Sequence, residues 1–109
     1  MEEKGSMKFD KGLYVGKGIK HPNMVKWKLR CNAGQFRVYV IALAEGRDQL
    51  EIYHSAFLQQ KYYRKHPPHI IGLAASYKEA VGIVIEIVEE ALQKQGSLDL
   101  KQYLRSKYG

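Results

Sequence analysis

Apolar and polar residues alternate most regularly between Val25 and Cys31. Val25, Trp27, Leu29 and Cys31 share one side of an extended chain, and Lys26, Lys28 and Arg30 share the other. A strand with one buried face requires this period of two. Asn32-Ala33-Gly34-Gln35 then offers a turn, and Phe36 to Ala44 follows, rich in Val, Ile, Tyr and Phe, so the two runs predict a hairpin. In the second run Phe36, Val38 and Val40 alternate with Arg37, Tyr39, Ile41 and Leu43. Both sides become apolar toward its end, as in a central strand covered on each face. Glu45-Gly46-Arg47-Asp48 predicts a second turn. Leu50 to Ser55 predicts another strand, with Leu50, Ile52 and His54 on one face. Gly12 to Ile19 reads as a short first strand closed by the turn His21-Pro22-Asn23, and Ile70 to Ala75 as a short buried one.

The period changes twice. Ala56 to Lys65 contains good helix formers and predicts one or two helical turns, broken by His66-Pro67-Pro68-His69. Ser76-Tyr77-Lys78-Glu79 fits a capping box and opens a helix to about Gln95, with Gly96 as its stop. From Tyr77 to Leu92 the apolar side chains of this helix cover an arc of about 200°, wider than one sheet face occupies. A second, shorter helix marked by Leu100, Tyr103, Leu104 and Tyr108 is one candidate to cover its flank; a second copy of the chain is the other. The pattern predicts an α+β fold. Residues 1–6 are expected to be a tail outside the fold and residues 7–109 a single domain. Its antiparallel sheet has about four to five strands, followed by one long C-terminal amphipathic helix and a short terminal helix packed on one face.

Composition narrows the function. The chain has 109 residues, 45% of them hydrophobic, which gives one core and no room for a βα barrel or a full dinucleotide-binding fold. A single cysteine makes no internal disulfide, and no apolar run is long enough for a membrane span; with no secretory signal, these features suggest a cytoplasmic protein. Charge is uneven. Between Lys8 and Val40 there are eight basic residues and one acidic, an excess equal to the whole net charge of +7. Such a field attracts phosphate backbones. Lys26, Lys28, Arg30 and Arg37, with Tyr39 as a stacking platform, are therefore the candidate contacts for RNA or single-stranded DNA.

The four histidines suggest a different chemistry. His54, with Tyr62, Tyr63, His66 and His69, outlines a candidate pocket for a small enzyme or ligand-binding protein, His54 acting as a general base. His66 and His69 alone fall short of the three or four ligands of a zinc site, so no metal is expected. No dinucleotide or phosphate-loop motif is present and no cofactor is expected. Glu86, Glu89 and Glu90 lie on the polar helix face and read as solvated. The over-wide helical arc and eight tyrosines favour a non-catalytic interaction or self-assembling domain, a homo-oligomer through its helical side. Nucleic-acid binding is the alternative and the His54 pocket the third reading.

Overall fold

The computed structural model describes residues 8–30, 37–43, 50–56, 69–96, 100, 103 and 104. Strand β1 (Lys8–Val15) leads to helix α1 (Pro22–Arg30), then to strands β2 (Tyr39–Leu43), β3 (Leu50–His54) and β4 (His69–Ala74), and helix α2 (Tyr77–Gln95) follows. Leu100, Tyr103 and Leu104 are also helical. The strands form one sheet in the order β1-β4-β2-β3. β2 is antiparallel to both β3 and β4, but β1 runs parallel to β4. The sheet is thus mixed where an antiparallel one was expected. Tight turns dictate direction only for strands that are consecutive in the chain. β1 and β4 are far apart in sequence, and no turn signal bears on how they pair.

The alternating run Val25–Cys31 is not a strand. Residues 22–30 form α1, and Cys31 lies outside the described residues. Over so short a window the two periods are hard to separate, because residues four apart share a face in either conformation. Val25 and Leu29 point inward in both readings. Only Trp27 distinguishes them, and it points out. Local signals decide for the helix. Pro22 occupies the first helical position, where its missing N–H costs nothing, and the carbonyl of His21 accepts from the Val25 amide at 3.1 Å. Lys28 and Arg30 in the last turn complement the negative end of the helix dipole. The hairpin expected from Val25 to Ala44 is replaced by helix and strand.

Helices cover both faces of the sheet, not one. On the first face α2 supplies Ala80, Ile83, Ile87 and Ala91, which pack with Ile41, Ile71 and Ala74 of the sheet and with Leu100, Tyr103 and Leu104. On the second, Leu29 of α1 and Ile19 before it pack with Val38, Val40, Ala42, Ile70 and Leu73, flanked by Phe9, Leu13, Val25 and Tyr53. β2 feeds alternate residues to the two cores, as its doubly apolar pattern predicts. Ile41, Ile70, Ile71, Leu73 and Ile87 are fully buried, each contributing about 1.5–3 kcal/mol.

The boundaries of α2 follow its predicted signals. Ser76 is extended, and its Oγ accepts from the Glu79 amide at 3.1 Å. Gly96 adopts φ 73°, the left-handed geometry that favours glycine, and its amide donates to the Leu92 carbonyl. No helix among the described residues is long and apolar enough to cross a membrane. Of the helical turns expected over Ala56–Lys65, residues 57–65 lie outside the described residues.

Candidate nucleic-acid interface

Strands β1, β4 and β3 run in one direction, so Val15, Ala74 and His54 end at the same edge of the sheet, beside Tyr39 at the start of β2. Both helices begin at this edge. Open α/β sheets hold ligands outside the carboxyl ends of parallel strands for the same geometric reason: loops diverge there and helix N-termini face outward.

Glu79 binds the two helix-leading loops together. Its Oε1 accepts from the Ala75 amide at 2.7 Å, and its Oε2 from the Gly18 amide at 2.8 Å. The capping box therefore closes in one direction only. Ser76 caps Glu79 as predicted, but the Glu79 carboxylate reaches across to β1's loop rather than back to the Ser76 amide. Gly16 and Gly18 make room for it. A Cβ on Gly16 would run into the Glu79 carboxyl, and one on Gly18 would stand 2.6 Å from the Ala75 Cβ. With Ile19 buried as an anchor, the loop leaves Lys17, Lys20 and His21 exposed.

Helix α1 redistributes the expected cationic row. At 100° per residue Lys26 and Arg30 share a side, and Lys28 lies well around the helix from them. Lys26 and Arg30 both approach the ring of Phe9 on β1, at 5.8 and 4.8 Å from its centroid, in cation–π geometry. The outward face of α1 is instead Asn23, Met24, Trp27 and the exposed Arg30. Trp27 is 62% exposed and Met24 52%. From Lys17 to Arg30 the chain has five basic residues and no acidic one.

Arg37 is exposed just before β2. Tyr39 lies on the α2 face of the sheet, the opposite side from α1. It meets His54 edge-on at 5.1 Å and Tyr77 at 5.9 Å. The structure therefore joins Tyr39 to His54 and Tyr77, not to Lys26, Lys28 and Arg30. The expected histidine pocket is also divided. His54 sits at the carboxyl end of β3, whereas His69 begins β4 at the far end of the sheet. Tyr62, Tyr63 and His66 lie outside the described residues. The Nδ1 of His54 accepts from the Ala56 amide at 3.0 Å, and Ser55 faces away and bonds to Val38. His69 pairs with Asp10 at 3.2 Å. Among the described residues no group of three or more His, Cys, Asp or Glu side chains is placed to share a metal ion.

Three features escaped sequence reasoning. Trp27 stands in solvent; Pro22 at the head of the run was the available signal that the run is helical. Glu79 bridges two loops, which no local pattern encodes. Glu90 is not a solvated carboxylate but half-buried, accepting from the hydroxyls of Tyr14 at 2.7 Å and Tyr103 at 2.9 Å. No protein-family model, no curated protein and no solved structure matches the chain.

Proposed function

We propose that the protein is a non-catalytic binding module for single-stranded nucleic acid, and that its recognition surface is the outward face of α1 with the loop before it. The observation that carries this reading is Trp27, 62% exposed on a helix in a segment, Lys17 to Arg30, that has five basic residues and no acidic one. Trp27 and the exposed Met24 lie together on one face of the helix, and a flat π surface beside cations is what an unpaired base and its phosphates need. Arg30 and Met24 flank Trp27, and Lys17 and Lys20 extend the positive surface toward the carboxyl edge of the sheet. The candidate contacts shift accordingly: the exposed Arg30 remains with the surface, Lys26 turns toward Phe9, and Tyr39 belongs to the other face.

Trp27 is the single tryptophan of the chain, so its emission reports the surface directly. Titration with short RNA and DNA single strands is expected to quench it. Three or four phosphate contacts imply a slope of log K against log[salt] of about −2 to −3, at ~0.7 per phosphate. Trp27→Ala removes a stacking contact of about 1–3 kcal/mol and weakens binding accordingly, with the far-ultraviolet circular dichroism unchanged because the side chain is not in either core. Absence of oligonucleotide binding at low salt, where attraction is greatest, refutes the proposal.

A further inference from the structure

The side of α2 that faces the sheet is buried at Ala80, Ile83, Ile87 and Ala91, and Leu100, Tyr103 and Leu104 join the same core. Diametrically opposite, Lys78, Gly82, Ile85, Glu89 and Leu92 recur at intervals of four, three, four and three. That is the seam spacing of two helices packed side by side. Ile85 is 51% exposed and Leu92 46%.

Gly82 is the second observation. A glycine inside a helix costs about 1 kcal/mol relative to alanine. Nothing lies within 4 Å of the place its Cβ would occupy, so no contact among the described residues calls for a glycine. Lys78 and Glu89, on either side of it, have no ion-pair partner among the described residues. Four of these five positions are also symmetric. Lys78 and Glu89, and likewise Gly82 and Ile85, are centred on the same point between Ile83 and Val84.

We propose that this face is a homodimer interface, two α2 helices packing antiparallel about a two-fold axis at that point. The symmetry seats Ile85 of each copy over Gly82 of the other, where the missing side chain lets the helices approach to about 8 Å. It sets Lys78 of each copy against Glu89 of the other, twice over, and this self-complementary charge selects a second copy over an unrelated partner. The surface is separate from α1, so the proposal stands or falls independently of nucleic-acid binding.

Sedimentation equilibrium of the full chain at micromolar concentration tests it. The wild type is expected at twice the mass of the chain. Ile85→Lys and Gly82→Leu are expected to sediment as monomers with unchanged circular dichroism, since both positions are exposed. Lys78→Glu alone raises the dissociation constant about tenfold or more by opposing two carboxylates, and the double variant Lys78→Glu/Glu89→Lys restores the dimer. A wild type of single-chain mass, a dimer that survives Ile85→Lys, or a charge swap that fails to restore association overturns the proposal.

Discussion

Replacing Glu79 by alanine removes the group that holds the two helix-leading loops together. The carboxylate accepts two amide hydrogen bonds, at 2.7 and 2.8 Å, from Ala75 and Gly18. Hydrogen bonds to a charged acceptor contribute about 1.5–3 kcal/mol each when shielded. Both amides here are open to water, which will replace part of the loss, so the lower end applies. Glu79 also places negative charge in the first turn of α2, a further ~0.3–1 kcal/mol. The expected destabilisation is about 2–4 kcal/mol, and for a domain of this size a fall in melting temperature of about 10–20 °C. Urea denaturation followed by circular dichroism measures it, with Glu86→Ala, on the outer face of the same helix, as the control. Glu79→Gln retains one acceptor and should recover about half the loss. Gly18→Ala should weaken the same junction by crowding Ala75, at a cost of about 1–3 kcal/mol. If Glu79→Ala unfolds within about 0.5 kcal/mol of Glu86→Ala, the carboxylate does not join the loops and the reasoning fails.

Two further outcomes are open to the same assay. Deleting residues 97–109 removes Leu100, Tyr103 and Leu104 from the core around Ile83, Ile87 and Ala91; at about 1.5–3 kcal/mol per side chain most of a stability of about 5–15 kcal/mol is lost, and the truncated protein should bind a hydrophobic dye that the full chain ignores. Tyr14→Phe and Tyr103→Phe should each cost about 1–2 kcal/mol, and the double-mutant cycle should show coupling, because both hydroxyls donate to one oxygen of Glu90; strict additivity would contradict that shared acceptor.

Helix α2 was legible from end to end because its signals are redundant: many residues of 3.6 period, a serine at one boundary and a glycine at the other. β2 and β3 were legible because turn-forming residues separate two short runs rich in Val, Ile, Leu and Tyr. The failure at α1 has a specific cause. Nine residues hold too few repeats to separate a period of two from one of 3.6, and the regular lysines made the wrong period look better than it was. That error carried the candidate site with it, turning Trp27 inward and setting Lys28 beside Lys26. The parallel pairing of β1 with β4, the helix on the second face and the Glu79 and Glu90 bridges are all long-range. Local pattern has no access to which distant segments meet, and the segments that meet decide where an interface can form.

The pairing of β1 has a consequence for the order of events along the folding chain. Lys8 pairs with His69 and Val15 with Leu73, so the first strand can find its place only after the fourth exists. β2 and β3 need no such wait, since one short connection closes them. Among the described residues β1 is also an edge strand, bonded to β4 alone, and Phe9 from it supplies the ring that Lys26 and Arg30 of α1 face. The strand that docks last on synthesis is expected to be the first to detach in native-state hydrogen exchange, and α1 would go with it. A ligand that grips α1 would then slow exchange along β1, far beyond the residues it touches.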